Sequence, residues 1–161
     1  MLEEEPNQHE TRLAPAMLFR SFLIVAGAYL ANLVLLSLVT FVFFPETIEI
    51  IGKEPAEFQK IVDDDPQKIF PPQLFWVLLV ASSVTCSVLG SLVARLAPIG
   101  KFSHAIFFAA ILFVQYLQLS IGAERDLRTK LVLMMVVSSV AALIGANTYL
   151  KSISSNLAEE S

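Results

Sequence analysis

Residues 21–44 read SFLIVAGAYLANLVLLSLVTFVFF, and this stretch contains no charged side chain. A helix needs about 20 consecutive apolar residues to cross the roughly 30 Å of hydrocarbon in a bilayer. Because lipid offers the backbone no hydrogen-bond partners, an apolar run of this length crosses it as a helix. The stretch is also longer than the apolar region of a cleaved signal peptide, which has about 7–15 residues. It therefore predicts a membrane-anchored helix.

Three further apolar runs follow, at residues 73–94, 102–121 and 131–150. None of the four runs contains Asp, Glu, Lys or Arg, and the one histidine within them is His104. We therefore predict an all-α polytopic membrane protein with four transmembrane helices.

The composition of the whole chain agrees with a membrane protein. Of its 161 residues, 55% are hydrophobic and 16% are charged, and the mean hydropathy is +0.67. A soluble domain typically has about 25% charged residues. The net charge is −4 and the basic residues are scattered, which argues against a nucleic-acid partner. The single cysteine excludes a disulfide framework and any cysteine-rich metal site within one copy of the chain.

Proline and glycine residues mark the ends of the predicted spans. Pro45 follows the first span, Pro71 and Pro72 precede the second, and Gly122 follows the third. Proline has no N–H to continue a helix but is tolerated in its first turn, whereas glycine commonly closes one. The connections between the second, third and fourth spans are short, so we expect these helices to pack as antiparallel neighbours in a four-helix bundle.

The charged residues lie outside the four spans. Most of them lie in an acidic N-terminal tail at residues 1–16, an extramembrane loop at 45–72 and a polar C-terminal tail at 152–161, and the others lie in the short connections and at the edges of the spans. The predicted transmembrane domain covers residues 17–151 and includes the loop. Both tails are predicted to be disordered or to lie on the membrane surface.

The 45–72 loop is the largest extramembrane segment of the sequence. Residues 54–62 can form a short helix in which Phe58, Ile61 and Val62 share one face. This spacing predicts an amphipathic helix that lies on the bilayer surface or on the rim of the bundle.

An acidic run, Asp-Asp-Asp at residues 63–65, follows this short helix. It lacks the alternating spacing with a central glycine that places carboxylates around one calcium ion. We interpret the run as a solvated acidic turn, with a specific cation site as the less favoured alternative. No metal site is predicted.

Ionisable groups at membrane depth usually mark proton relays, ion paths and cofactor ligands. The lack of carboxylates in the four spans argues against a proton-coupled carrier. A bis-histidine haem site is not predicted either, because His9 lies in the N-terminal tail and only His104 lies in a span. The serines at depth have no histidine, aspartate or zinc-ligand partner of the kind that an intramembrane protease needs. We therefore expect no enzymatic activity, no catalytic residue and no cofactor.

Polar side chains form a stripe on one face of the third span. His104, Gln115 and Gln118 fall within about 60° of one another at 100° per residue. Asn32 in the first span is the predicted partner of the glutamines. The favoured interpretation is interhelical hydrogen bonding. The alternative is a small hydrated path or a ligand site.

Small residues predict where the helices pack. Four of them lie within about 60° of one another on the second span: Ser83, Ser87, Gly90 and Ala94. The fourth span offers Ala141 and Gly145 at small-xxx-small spacing, and the first offers Gly27 and Ala31. Since helices in lipid associate through close packing, such residues mark contact faces. We expect most of these contacts to lie inside the bundle, with a subunit interface as the alternative.

The layout resembles a group of small, uncharacterised four-helix membrane proteins that is common in bacteria. The resemblance rests on the long first helix that ends before Pro45, the acidic loop with its 54–62 helix and the Pro71-Pro72 pair, and the Ser-rich second span. It implies a multi-pass protein of a bacterial cell (inner) membrane with both termini on the cytoplasmic side. Charge gives no orientation, because five Lys and Arg lie on the side of the termini and six on the other.

These features predict a structural or accessory role, as a subunit of a larger membrane complex or as a homo-oligomer. The expected partners are the lipid bilayer and other membrane helices. The alternative is a small oligomeric transporter or channel for a neutral solute, whose path the four residues of the polar stripe would line: Asn32, His104, Gln115 and Gln118.

Overall fold

Six α-helices account for most of the chain that the structure describes. The structure, a computed structural model, describes residues 8–65, 68, 71–98, 100–121, 123 and 125–159, without the side chains of residues 8–14, 62, 63 and 156–159. The helices are α1 (Gln8–Phe43), α2 (Pro45–Ile51), α3 (Pro55–Asp64), α4 (Pro72–Leu96), α5 (Lys101–Ser120) and α6 (Arg125–Glu159). Every regular element formed by these residues is a helix, so the predicted all-α class is confirmed.

Four of the helices are long and apolar enough to cross a membrane. Their apolar segments are Pro15–Phe43 in α1, Pro72–Leu96 in α4, Lys101–Ser120 in α5 and Arg125–Ser155 in α6. Each segment contains most or all of one run predicted from the sequence. The chain is therefore a multi-pass membrane protein, with α1, α4, α5 and α6 as its transmembrane helices.

The first and last helices are longer than the predicted spans. Helix α1 begins inside the 1–16 segment and passes through Pro15, and α6 runs on into the 152–161 segment. Once the apolar part of a helix has formed, each added residue gains a backbone hydrogen bond without a new nucleation step. Helix thus occupies part of both predicted tails, whereas residues 1–7 and 160–161 lie outside the described residues.

The loop between α1 and α4 contains two helices, where the sequence predicted one. Helix α3 is the predicted amphipathic helix, with Phe58 and Ile61 half-buried on it. Helix α2 is additional and starts at Pro45, whose fixed φ suits the first position of a helix. The seven residues of α2 are too few to show a helical period in the sequence, so this helix could not be predicted.

A lysine–glutamate ion pair joins the loop before α3 to the first turn of that helix. The Lys53 ammonium donates a hydrogen bond to Glu57 Oε1 at 2.6 Å. This hydrogen bond and the attraction of the carboxylate raise the pKa of Lys53 above its ordinary value. Because the folded chain has the higher pKa, the pair is present at neutral pH and is lost as the pH rises through that pKa. Solvent screens the attraction between the two charges, so the pair affects only the start of α3.

Helices α4 and α6 form the most extensive contact in the bundle. By connectivity they run parallel, and α5 packs antiparallel against both. Helix α1 packs mainly against α4 and to a smaller extent against α5. The buried share of its apolar segment is about half that of α4 and α6, at 17% against 33%. Helix α1 is thus the peripheral member of the bundle.

The interior of the bundle is packed with apolar side chains from all four transmembrane helices. Phe108 and Leu112 of α5 are fully buried and meet Val25 of α1, Val93 of α4 and Ala142 of α6 in one cluster. The outer faces carry large exposed apolar side chains, as on α4: Trp76, Val80, Val84 and Val88. Such a surface suits lipid rather than water.

The turn between α4 and α5 depends on a glycine. Gly100 has φ 58° and ψ 47°, in the left-handed region that glycine adopts without a steric penalty. This conformation turns the chain back so that α5 begins at the next residue. Gly122, which the sequence predicts to close the third span, lies outside the described residues.

Candidate functional site

A buried polar cluster lies in the middle of the bundle. The hydroxyls of Ser82 on α4 and Ser138 on α6 share a hydrogen bond with their Oγ atoms 2.7 Å apart. Cys86 lies one turn along α4 with its Sγ 3.7 Å from the Ser82 hydroxyl. The Cys86 thiol donates to Oδ1 of Asn32 on α1 at 3.5 Å. Polar atoms thus link α1, α4 and α6.

Tyr116 brings α5 into the same cluster. Its phenol lies close to the hydroxyls of Ser82 and Ser138. Its ring packs with Phe75 of α4 and Met134 of α6. We call the five residues that meet here the polar cluster: Asn32, Ser82, Cys86, Tyr116 and Ser138. Each transmembrane helix contributes at least one of them.

The chemistry of the polar cluster is that of hydrogen-bonding groups: hydroxyls, a phenol, a thiol and a carboxamide. Lipid provides no partners for such groups, so they bond to one another across the helices. An interhelical hydrogen bond inside a membrane contributes on the order of 0.6 kcal/mol, with a maximum of about 1.7 kcal/mol. The arrangement therefore fixes the rotation and depth of the four helices relative to one another.

The structure separates the residues of the predicted polar stripe. Asn32 is 1% exposed and contacts Cys86 rather than the glutamines. His104 Nδ1 lies 3.1 Å from the backbone carbonyl four residues earlier, at the start of α5. Gln118 is exposed on the outside of α5. Gln115 is half-buried, and its buried Oε1 has no hydrogen-bond partner in the described part of the chain.

Two glycines allow α4 and α6 to approach to backbone contact. A Cβ at Gly90 would overlap the backbone of Ala142, and a Cβ at Gly145 would overlap the backbone of Ser87. The Ser91 hydroxyl also donates to the Gly145 carbonyl at 2.7 Å. The contact is reciprocal, because each helix presents a glycine to the backbone of the other. It has no room for a larger side chain at either glycine.

The other small residues predicted on α4 and α6 lie at or beside this contact. Ala94 is fully buried with Ala105 of α5 and Ala146 of α6. Ala141 is half-buried against the central core. Ser83 is half-buried, and its hydroxyl bonds to the carbonyl one turn earlier in α4.

The two small residues predicted on α1 lie on different sides of that helix. Ala31 packs against the central core, whereas Gly27 is exposed and a Cβ there would meet nothing within 4 Å. Gly27 belongs to a line of exposed residues that we call the outer stripe of α1: Leu23, Gly27, Leu30, Val34, Ser37 and Phe41. Their spacing alternates between four and three residues, which keeps them on one continuous helix face.

Aromatic residues mark the two boundaries of the membrane-spanning region. Trp76 is exposed near the start of α4 and makes an edge-to-face contact with Phe75 at 5.1 Å between ring centroids. Tyr149 lies near the opposite boundary in α6, with the Lys101 ammonium 5.9 Å from its ring centroid. Amphipathic aromatic rings and cations of this kind are typical of the membrane–water interface.

The acidic run at residues 63–65 lies at the end of α3. Asp64 is exposed, and the Asp65 backbone N–H donates to the Ile61 carbonyl at 2.9 Å. The side chain of Asp63 lies outside the described residues. In the described part of the chain, no three His, Cys, Asp or Glu residues form a group that could hold a metal ion. The interpretation of the run as a solvated turn stays a prediction.

The sequence does not predict the polar cluster. Ser82 is followed by Ser83, and the sequence does not say which of the two faces a partner helix. The one available signal is the i, i+4 spacing of Ser82 and Cys86, which places both on one helix face.

Comparison of the chain with protein-family models, with curated proteins and with solved structures finds no match. The contacts described above are therefore the basis for a functional assignment.

Proposed function

We propose that this chain is a structural or accessory membrane protein that assembles with other transmembrane helices, either in a larger complex or as a homo-oligomer. The observation that carries the proposal is the outer stripe of α1. This face includes Gly27, which has open space in front of it, on the least buried of the four transmembrane helices. A second helix can therefore approach α1 closely at this point.

The physical argument comes from how helices associate in lipid. Lipid tails are as apolar as leucine, so helices gain little by leaving them and associate through close packing at small residues. Gly90 and Gly145 serve the contact between α4 and α6 in this way. Gly27 has no comparable neighbour among the described residues. Its position favours a contact with another chain.

We further propose a bacterial-type cell (inner) membrane as the location, with both termini on the cytoplasmic side. Support comes from the layout of the sequence, whose long first helix, acidic loop and Pro71-Pro72 pair resemble a bacterial group. The polar cluster also supports a non-enzymatic role, because its groups bond to one another across the helices. Such bonds hold a bundle together.

We expect Gly27→Leu to dissociate the assembly without unfolding the chain. The added side chain points into open space within the chain itself, so the bundle tolerates it, and leucine is a better helix former than glycine. A partner helix packed on Gly27 would be pushed away. Native gel electrophoresis after mild detergent extraction measures the change, as a shift of the wild-type band to the size of the lone chain.

The matched control is Ala110→Leu, which adds similar bulk at an exposed small residue on α5. It should migrate with the wild type. A wild-type chain that migrates as a partner-free monomer would count against the proposed function. So would a Gly27→Leu variant that assembles as the wild type does.

The second candidate function is an oligomeric transporter or channel for a neutral solute. Gln115 favours it, because a buried Oε1 without a protein partner is a group that could bind a passing solute or water. Under this hypothesis the double variant Gln115→Leu, Gln118→Leu abolishes solute flux in proteoliposomes, measured by osmotic swelling. A folded double variant with the wild-type flux rules the hypothesis out.

A further inference from the structure

A cleft of about 450 Å³ opens where α1 meets the extramembrane loop. We call it the interface cleft, and its lining residues come from α1, α2 and the segment before α4: Phe43, Phe44, Pro45, Glu46, Thr47, Ile50, Lys68 and Pro71. Its volume lies within the range of about 300–1,000 Å³ that is typical of small-molecule sites.

The interface cleft lies at the level of the membrane surface. Phe43 is the last residue of α1, and Pro71 immediately precedes α4, so both transmembrane helices end at the cleft. Phe43 is 65% exposed, so an aromatic ring at the end of α1 is available to contact lipid. A ligand in the cleft therefore meets apolar walls toward the bilayer and charged groups toward water.

Two charged side chains of opposite sign line the cleft without neutralising each other. Neither Glu46 nor Lys68 forms an ion pair with another described residue. The backbone N–H of Lys68 donates to the Asp65 carbonyl at 3.1 Å. A cation and an anion are thus both available to a ligand with charges of both signs.

Thr47 contributes a hydroxyl to the lining of the cleft. The residue as a whole is 3% exposed, and its hydroxyl forms no hydrogen bond with the described part of the chain. The hydroxyl can therefore donate to an anionic group in the cleft.

We propose that the interface cleft binds the headgroup of a zwitterionic phospholipid from the surrounding bilayer. The Lys68 ammonium and the Thr47 hydroxyl donate to the lipid phosphate, and the Glu46 carboxylate accepts from the headgroup ammonium. The glycerol region and the upper acyl chain lie against Phe43 and Phe44. Charge complementarity and the position at the membrane surface select this ligand over a free solute.

Native mass spectrometry of the purified full chain in detergent tests the proposal. Titration with phosphatidylethanolamine should give one retained lipid per chain. Loss of one charge-assisted hydrogen bond should weaken that binding about tenfold in Lys68→Gln and in Glu46→Gln. The matched controls Lys60→Gln and Glu49→Gln change the same charges at exposed positions outside the cleft and should bind as the wild type does.

Three results would overturn the proposal. The first is equal binding by the two cleft variants and their controls. The second is binding of anionic phosphatidylglycerol that is as tight as the binding of phosphatidylethanolamine and that Glu46→Gln leaves unchanged. Such binding would exclude a zwitterionic site. The third is displacement of the lipid by inorganic phosphate alone, since that assigns the cleft to a soluble anion. Thr47→Val, which keeps the shape of the side chain, should weaken binding, and the two exposed cleft variants keep the test valid if it fails to fold.

Discussion

Gly90→Leu should destabilise the folded bundle by about 3 kcal/mol or more, a lowering of the melting temperature by about 10 °C. A Cβ at this position would overlap the backbone of Ala142, and a backbone cannot move aside as a flexible side chain does. The helices α4 and α6 must separate along their most extensive contact to admit the leucine. In lipid, that lost packing has no compensation from a hydrophobic effect.

The chain provides three comparisons for this prediction. Gly145→Leu should be equally damaging, because its Cβ would overlap the backbone of Ser87. Gly27→Leu makes the same chemical change at an open position and should leave the melting temperature near that of the wild type. Asp64→Ala alters an exposed residue at the end of α3 and should change the stability by no more than about 0.5 kcal/mol.

Thermal unfolding of all four variants in one detergent, followed by circular dichroism, measures these differences. If Gly27→Leu lowered the melting temperature as much as Gly90→Leu, the loss would follow from adding leucine to any helix rather than from the α4–α6 contact. If Asp64→Ala did so, the acidic run would be a binding site rather than a solvated turn.

The four transmembrane helices could be predicted because a helix that crosses the bilayer needs about 20 consecutive apolar residues. Few other structures need an apolar run of this length. Residues 73–94 and 102–121 match α4 and α5 to within two residues at each end. The ends of α1 and α6 could not be predicted in the same way. Beyond the bilayer the helices continue through polar residues, where composition does not distinguish a helix from a tail.

Helical spacing predicts which face of a helix carries the small residues, but it does not identify their partners. It places Gly90 and Gly145 on contact faces of two helices, yet it does not say which helices lie side by side. The contact between α4 and α6 joins two parallel helices that are not consecutive, so the short connections give no indication of it. For the same reason the sequence predicts that Asn32 pairs with the glutamines, whereas the structure shows its contact with Cys86.

Ser138→Ala should destabilise the bundle by about 1–2 kcal/mol, the second largest loss that we expect. Ser138 is fully buried, and its hydroxyl shares the 2.7 Å hydrogen bond with Ser82. The substitution removes little volume, so the cost comes from the polar groups that it leaves without a partner. Water cannot replace the lost hydroxyl readily at this depth, since the surrounding side chains are apolar.

A double-mutant cycle separates this hydrogen bond from the packing of the two serines. Ser82→Ala and Ser138→Ala should each lower the free energy of unfolding when made alone. Either substitution should lower it less when the other is already present, because the hydrogen bond has then already been lost. Ser139→Ala is the matched control on the same helix, since among the described residues its hydroxyl bonds to the Ala109 backbone carbonyl alone, at 3.2 Å. Additive losses at Ser82 and Ser138 would mean that their hydroxyls act independently. The polar cluster would then contribute packing alone, and the rotation of α4 against α6 would be set by their glycine contacts.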